Sequence, residues 1–443
     1  MTQTTMRRMT PDGVHAALAQ VMLADGFDMV LDLERSSGVR LYDAKHGRTY
    51  LDMFSCFASA PLGFNHARLL EPEFVARLGR LAVNKPSNAD LYTVEMAEFV
   101  DTFRRFAQPA GMPHVFFIEG GAMGVENAIK TAMDWKVRKN LERGAGEKGH
   151  RVIHFKQCFH GRSGYTLSCT NTDPLKTMYF AKFDWPRITN PKLSFPLTDA
   201  VLAAVQAAEA QAVREIEAAF AATPNDICAI LIEPIQAEGG DNHFRAEFLR
   251  ELRRLADEHE AFLIFDEVQT GLGTTGAMWA FEHFGVVPDA IAFGKKVQLG
   301  GCWVGPRVDE VPDNVFKVAS RINSTWGGNL VDMTRSRRII EVMVEEKLVE
   351  QAARVGVHLV AGLERLCQRY PERISNPRGR GAMCAFDLPG KDARDATRRA
   401  CYEHGMMILP CGERSIRFRP ALVATEADID EALEILDKVL AGR

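Results

Sequence analysis

Two adjacent lysines, Lys295 and Lys296, follow an apolar run in the stretch DAIAFGKKVQLGG (289–301). Successive side chains alternate sides at the end of a strand, so at most one of the two lysines can point into a cleft. A lysine that is desolvated beside apolar or cationic groups has a lowered pKa and becomes a nucleophilic amine, the type that forms Schiff bases. The alternative is a pair of solvated lysines at a surface turn.

Polar or small residues also follow four other apolar runs that read as buried strands. In open α/β sheets, ligands lie beyond the carboxyl ends of the strands, so the residues directly after each run are candidates for a site. We expect all five strand ends to converge on one place. Together with Lys295, the candidates are Gly120, Gly121, Ala122, Phe159, His160, Arg162, Glu238, Asp266 and Gln269.

Two of these candidates suggest what the site would hold. Gly121 and Ala122 open the helical pattern AMGVENAIKTAMDW, and the free N–H groups and positive dipole end of a helix N-terminus suit a phosphate. A tight strand-to-helix turn is an equal alternative. Asp266 leaves the buried strand AFLIFDE, where its charge needs a cationic partner, either in a ligand or in a structural ion pair.

The stretch GLGTTG (271–276) matches the dinucleotide-binding fingerprint and also follows a strand. Asp-Glu-Val-Gln-Thr separates the strand from these glycines, and the acid about twenty residues on, Asp289, precedes the next strand instead of ending it. A dinucleotide-binding oxidoreductase therefore stays a remote alternative.

The elements that must position these residues alternate between short apolar runs and helical patterns such as 197–220 and 244–260. Runs that are apolar on both faces and alternate with helices predict an α/β fold, with a mostly parallel sheet flanked by helices. The five runs are HVFFIEGG (114–121), RVIHFK (151–156), ICAILIEPI (227–235), AFLIFDEV (261–268) and DAIAFGK (289–295).

The two ends of the chain differ from its middle. Residues 28–53 alternate like short antiparallel strands, and from residue 374 a hairpin pattern precedes a closing helix. We expect both ends to form one smaller α+β domain, made of residues 1–64 and 335–443, against a large α/β domain of residues 65–334.

Composition excludes several classes of protein. The formal net charge is −4 with acids and bases interspersed, so nucleic acid is not expected as a partner. The nine cysteines are scattered without a CxxC, which argues against a disulfide framework or a zinc site and favours a cytoplasmic location. Arg7 and Arg8 are followed by no apolar core, so we expect neither export nor a membrane anchor.

The order of these residues resembles the class III (ω-) aminotransferases, which are pyridoxal 5′-phosphate enzymes of fold type I. The resemblance covers nearly the whole chain and is most specific in IFDEVQTG followed by AFGKK, with 29 positions from Asp266 to Lys295. Other segments resemble the lysine 6-aminotransferase group within that family: NKPSN (84–88), CFHGRSGYTLS (158–168), KFDWPR (182–187), SRINSTWGGN (320–329) and IRFRP (416–420).

The resemblance implies a role for each cofactor-binding candidate. Lys295 would be the Schiff-base lysine and the base that moves the proton, and Asp266 the partner of the pyridine nitrogen. Phe159 would stack on the ring and Gln269 would reach its phenolic oxygen, with Gly121 and Ala122 at the phosphate. Thr325 would reach the phosphate of a neighbouring subunit's cofactor, which implies a homodimer with active sites at the subunit interface.

For substrates, the resemblance implies transfer of the ε-amino group of L-lysine to 2-oxoglutarate. The products would be L-glutamate and 2-aminoadipate 6-semialdehyde, and the semialdehyde would cyclise to piperideine-6-carboxylate. Arg162 would bind the distal carboxylate, with Asn323 in the same substrate site, and Arg417 the proximal carboxylate. Glu238 would neutralise Arg417 while lysine is bound and swing aside for glutamate.

Other interpretations remain open from the sequence. An ω-aminotransferase acting on ornithine or 4-aminobutyrate is the main alternative, and a catalytically inactive binding or scaffold relative is a further one. The segment FSCFASA (54–60) should approach the substrate, but no role is assigned to Cys56 or Phe57. His160 is expected only to position Phe159.

Overall fold

The computed structural model describes residues 9–442; Arg7 and Arg8 lie outside the described residues. The α-helices among these residues are α1 (Val14–Leu18), α2 (Ser55–Ala58), α3 (Pro72–Ala82), α4 (Val94–Ala107), α5 (Gly121–Glu142), α6 (Gly164–Cys169), α7 (Asp199–Ala222), α8 (Ala246–Glu258), α9 (Leu330–Glu345), α10 (Leu348–Arg369), α11 (Lys391–Glu403) and α12 (Glu426–Ala441). Shorter 3-10 helices are Pro11–Gly13, Ala67–Leu69, Pro174–Lys176, Ala280–His283, Lys295–Val297 and Pro306–Glu310.

The strands within residues 9–442 form one large sheet and three small ones. They are β1 (Leu31–Ser37), β2 (Arg40–Asp43), β3 (Arg48–Asp52), β4 (His114–Ile118), β5 (Arg151–Phe155), β6 (Arg187–Ile188), β7 (Ile227–Ile232), β8 (Ile235–Gln236), β9 (Asn242–His243), β10 (Phe262–Asp266), β11 (Ala290–Phe293), β12 (Gly300–Val304), β13 (Ser375–Arg380), β14 (Met383–Asp387), β15 (Met406–Met407), β16 (Leu409–Cys411) and β17 (Ser415–Phe418).

The large sheet has seven strands in the order β4-β12-β11-β10-β7-β5-β6. The pairs β5–β6, β5–β7, β7–β10 and β10–β11 are parallel, whereas β12 pairs antiparallel with both β11 and β4. The predicted α/β fold with a mostly parallel sheet is confirmed. The sequence did not predict β12, because its glycine-rich stretch GGCWV lacks a strand pattern.

The five predicted strands end at one edge of this sheet, because they all run in the same direction. Every residue of β7, β10 and β11 is buried, which explains why these runs are apolar on both faces. Close glycine packing brings α5 onto the sheet: a Cβ on Gly124 would lie 2.5 Å from the carbonyl oxygen of Gly301 in β12. The helix therefore begins directly at the carboxyl edge.

The ends of the chain form two further four-stranded sheets, β1-β2-β3-β15 and β13-β14-β17-β16. In the first, β15 from the C-terminal part pairs parallel with β3 from the N-terminal part. The predicted antiparallel strands within 28–53, the hairpin after residue 374 and the closing helix are all present. The division at residues 64 and 334 stays a prediction, and its second boundary falls inside α9.

None of the helices between residues 9 and 442 is both long and apolar enough to span a membrane. The glycines of GLGTTG lie in turns that lead to the short 3-10 helix Ala280–His283. Gly271 packs against Trp279, where a Cβ would come within 2.5 Å of the indole. The dinucleotide fingerprint needs a helix that opens at its glycines, so this interpretation is wrong.

Candidate active site

The two adjacent lysines point in different directions. Lys296 is buried, and its Nζ donates a hydrogen bond to the carbonyl oxygen of Gln269 at 2.8 Å. Lys295 starts the 3-10 helix after β11 with φ of 50°, a left-handed conformation that stores strain in a non-glycine residue. Its Nζ lies 5.6 Å from the centroid of the Phe57 ring.

The Lys295 amine is adapted to nucleophilic chemistry. Burial, with the positive charge of Arg417 nearby, lowers the pKa of Lys295 to about 8. Glu238 and Asp266 oppose this shift without reversing it. At pH 7 about a tenth of this amine is therefore unprotonated, far more than for an ordinary lysine, and the unprotonated form is the one that acts as a nucleophile or a base.

Asp266 ends β10 and is only 4% exposed. The Nδ1 of His160 lies 2.8 Å from its Oδ2, and its Oδ1 accepts a hydrogen bond from the backbone N–H of Val268 at 3.0 Å. Burial alone would lower the pKa of His160, but Cys158 and Asp266 outweigh burial and raise it well above its usual value. The expectation that His160 only positions Phe159 missed this contact, because ring orientation cannot be read from adjacency in sequence.

Phe159 is held through its backbone by a residue that the sequence analysis overlooked. Its N–H donates to Oε1 of Glu233 at 2.9 Å, and the N–H of Ala237 donates to Oε2 at 2.9 Å. Burial raises the pKa of Glu233 to about 7. The signal was present, since Glu233 directly follows the wholly apolar strand β7 just as Asp266 ends β10.

The N-terminus of α5 lies close to Lys295 and could hold an anion. The helix has 22 residues and no side-chain hydrogen bond at its N-cap, so the first N–H groups, beginning at Gly121 and Ala122, remain available to a ligand. A Cβ on Gly294 would lie 2.9 Å from the Cα of Gly121. Two glycines thus allow the helix start and the residue before Lys295 to touch.

A charged cluster formed by Arg417, Glu238 and Lys176 lies at the other side of the site. Nη2 of Arg417 donates to Oε2 of Glu238 at 2.7 Å, and Nζ of Lys176 donates to Oε1 at 2.6 Å. Burial would raise the pKa of Glu238, but Arg417 and Lys176 outweigh it and hold that pKa below its usual value. The Arg417 side chain is 2% exposed, and its Nε and Nη1 have no hydrogen-bond partner within residues 9–442.

Phe57, which the sequence left without a role, lies between the two ends of this site. Its ring is 5.6 Å from Nζ of Lys295 and 6.0 Å from Cζ of Arg417. The element α2 (Ser55–Ala58) has positive φ at all four residues, so despite its helical hydrogen bonding it is a single left-handed turn and not a right-handed α-helix. Four successive non-glycine residues in this region are strained, and the strain presents Phe57 to the cluster.

Three predicted site residues lie at the surface of the described structure. Arg162, Asn323 and Thr325 are all exposed. The loop that carries Asn323 and Thr325 packs on the NKPSN segment, where Nζ of Lys85 lies 3.8 Å from the Trp326 ring centroid. Their assignments stay predictions.

The groups that converge here fit pyridoxal 5′-phosphate. Two buried polar atoms, Nε2 of His160 and Oε1 of Gln269, have no hydrogen-bond partner in the described part of the chain, as expected where a polar ligand belongs. Lys295 supplies an amine for an aldehyde, Asp266 a carboxylate for a ring nitrogen, and α5 a set of N–H groups for a phosphate. The aromatic ring of Phe159 can cover an apolar ring face.

Comparisons with known proteins agree with this chemistry. The aminotransferase class-III family model matches residues 22–440. The L-lysine-epsilon aminotransferase of Mycobacterium tuberculosis H37Rv is 51% identical over 98% of this chain and 96% of its own length. The human mitochondrial 4-aminobutyrate aminotransferase is 32% identical over 94% of this chain and 86% of its own length.

A solved structure, described as lysine aminotransferase from M. tuberculosis in the internal aldimine form, superposes with a TM-score of 0.96 at 51% identity. The match covers 98% of this chain and all (100%) of that chain. The family match, the fold and the cofactor site agree, and the protein belongs to the class III aminotransferases, pyridoxal 5′-phosphate enzymes of fold type I.

Proposed function

We propose that the protein transfers the ε-amino group of L-lysine to 2-oxoglutarate, which yields 2-aminoadipate 6-semialdehyde and L-glutamate. The semialdehyde would then cyclise to piperideine-6-carboxylate. Relatives named L-lysine-epsilon aminotransferase at 51% identity support lysine as the donor, whereas the 4-aminobutyrate aminotransferases reach 32%.

The observation that carries the proposal is the ion pair between Arg417 and Glu238. An ω-amine donor such as lysine presents methylenes, not a carboxylate, next to its reacting amine. A buried guanidinium facing methylenes alone would be strongly unfavourable. Glu238, 2.7 Å from Arg417, supplies the missing negative charge, and it can yield Arg417 to the proximal carboxylate of 2-oxoglutarate or glutamate.

When bound, pyridoxal 5′-phosphate supplies an aldehyde for the amine and a ring that withdraws electrons from the carbon that loses a proton. Lys295 would hold the cofactor through Nζ and, once released, carry the proton at that nitrogen. Asp266, fixed by His160, would keep a positive ring nitrogen stable. Phe159 and Gln269 would orient the ring, and the first N–H groups of α5, at Gly121 and Ala122, would bind the phosphate.

The remaining assignments complete the proposal. Arg162, with Asn323 in the same substrate site, would bind the distal carboxylate, which is the α-carboxylate when lysine is the substrate. Thr325 would reach the cofactor phosphate of a second copy, in a homodimer whose active sites lie at the subunit interface; the exposure of all three side chains supports a role toward a ligand or second subunit. We also propose a cytoplasmic location, which the nine free cysteines support.

A donor panel tests the function. Purified holoenzyme is mixed separately with lysine, ornithine and 4-aminobutyrate, and conversion of the cofactor to its aminated form is followed by absorbance in single turnovers. Lysine should react fastest, and glutamate should form when 2-oxoglutarate is then added. A Lys295→Met variant is the inactive control. Faster conversion by ornithine or 4-aminobutyrate would overturn the donor assignment.

A further inference from the structure

Lys176 contacts the carboxylate of Glu238 on the side away from Arg417. We call Glu238 the switch, because we propose that it pairs with Arg417 when lysine is bound and releases Arg417 to a dicarboxylate substrate. Oε1 of Glu238 accepts from Nζ of Lys176 at 2.6 Å, while Oε2 accepts from Arg417 at 2.7 Å. One carboxylate therefore bridges two cations, each of which uses its own oxygen. No motif in the sequence indicated Lys176, which lies 62 positions from Glu238.

The position of Lys176 is also held by interactions that do not involve Glu238. Lys176 is the last residue of the 3-10 helix Pro174–Lys176, and the side chain of Asp173 caps this helix by accepting a hydrogen bond from the N–H of Leu175. Its Nζ also lies 5.3 Å from the centroid of the Phe159 ring, a favourable position for a cation. Lys176 can therefore stay in place when Glu238 moves.

The two cations differ in their surroundings. The Arg417 side chain is 2% exposed, whereas the side chains of Lys176 and Glu238 are 19% and 24% exposed. Lys176 and Glu238 also line a cavity of about 450 Å³ that Arg417 does not line. If the Glu238 carboxylate moves from Arg417 toward Lys176, it therefore moves from a buried environment toward the cavity and solvent.

Charge pairing shows why the second cation matters. With lysine bound, Glu238 can bridge Arg417 and Lys176. With 2-oxoglutarate or glutamate bound, the proximal carboxylate of the substrate takes Arg417, and Glu238 would be left without a cation if Lys176 were absent. With Lys176 present, two complete ion pairs exist in that state, and an unpaired partly buried carboxylate is avoided.

We propose that Lys176 is a positioning residue that receives Glu238 when a dicarboxylate occupies Arg417, and so selectively supports the 2-oxoglutarate and glutamate half of the reaction. This inference rests on the proposed role of Glu238 but not on which amine is the donor. Lys176 acts through Glu238 and contacts no reacting atom in this scheme.

The test compares Lys176→Gln, Lys176→Arg and the control Lys391→Gln in the holoenzyme. Lys391 is exposed and lines the same cavity. Lys391→Gln therefore removes one positive charge from the cavity, as Lys176→Gln does, but it breaks no ion pair with Glu238. Binding of glutarate, an unreactive dicarboxylate, is measured by calorimetry. Lys176→Gln should weaken glutarate binding about tenfold, while its lysine half-reaction stays within about threefold of the wild type. Lys176→Arg and Lys391→Gln should both bind glutarate within about threefold of the wild type.

A double variant distinguishes action through Glu238 from direct attraction of the anion. In a Glu238→Gln background, Lys176→Gln should change glutarate binding by less than about twofold. Equal losses for glutarate and lysine, unchanged glutarate binding, a loss of the same size in Lys391→Gln, or full additivity in the double variant would each overturn the proposal. If Lys176→Gln fails to fold in a thermal-unfolding check, Lys176→Met replaces it.

The same measurements keep the two proposals separate. The wild-type donor panel decides the lysine assignment, whichever way the variants behave. The ratio of glutarate affinities between variant and wild type decides the role of Lys176, even if ornithine or 4-aminobutyrate proves to be the better donor.

Discussion

Replacing Glu238 with glutamine should separate the two halves of the reaction. The substitution keeps the shape of the side chain but removes the negative charge that faces Arg417 at 2.7 Å. Arg417 is 2% exposed, and two of its nitrogens already lack partners in the part of the chain that the structure covers. In the lysine complex, the Glu238→Gln variant would therefore hold a buried guanidinium with no carboxylate in direct contact.

The size of the effect follows from burial. Removing one partner of a buried ion pair costs about 3–5 kcal/mol, but Glu238 is 24% exposed, so water reduces that penalty. In the glutamate half-reaction the substrate carboxylate supplies the charge that Glu238 has lost. We therefore expect the lysine half-reaction to lose about 2–3 kcal/mol relative to the glutamate half-reaction, a fall of about 30- to 150-fold in the ratio of their kcat/KM values.

Single-turnover absorbance of the cofactor, recorded with lysine and separately with glutamate, measures both values on one preparation. Glu238→Gln also removes the ion pair with Lys176, but this loss affects both half-reactions. The ratio of the two effects therefore reports the contribution of the Arg417–Glu238 pair alone. Glu413→Gln, which neutralises an exposed carboxylate lining the neighbouring cavity, is the matched control and should leave the ratio unchanged. An equal loss with lysine and glutamate would refute the switch.

Three further predictions concern the amine, a buried ion pair and the helix start. Burial lowers the pKa of Lys295 to about 8, so labelling of the apoprotein by pyridoxal phosphate and borohydride should rise with pH through about 8, as the protonated fraction of Lys295 falls. Peptide mass spectrometry should find the label retained in Lys296→Met and lost in Lys295→Met. The side chains of Asp241 and Arg419 form an ion pair and are 0% and 1% exposed. Asp241→Asn breaks this pair and should lower the free energy of unfolding, measured by denaturant titration, by about 3–5 kcal/mol. A change below about 1 kcal/mol would contradict this. Gly124→Ala places a Cβ against strand backbone and should cost about 1–3 kcal/mol, seen as a lower Tm; an unchanged Tm would argue against the close packing of α5.

The local pattern of the chain was enough to predict the main architecture. Runs such as ICAILI and FLIFD read as strands buried on both faces, and 197–220 and 244–260 as helices, because these signals depend only on spacing between neighbours; the structure places the two helices at Asp199–Ala222 and Ala246–Glu258. Parallel strands must end at one edge, so the convergence of Asp266, Lys295 and the α5 start also followed from the sequence. The left-handed turn at Ser55–Ala58 did not, because no glycine marks it.

Tertiary structure alone decided which charged groups meet. Lys176 and Glu238 are 62 positions apart, and Arg417 is 179 positions from Glu238. Resemblance suggested only the second of these pairs. The direction of the His160 ring toward Asp266 likewise depends on packing around both residues. Spacing along the chain fixes periodicity and the order of strand ends, whereas the partner of a long charged side chain is fixed by distances and burial that exist only after the elements have packed.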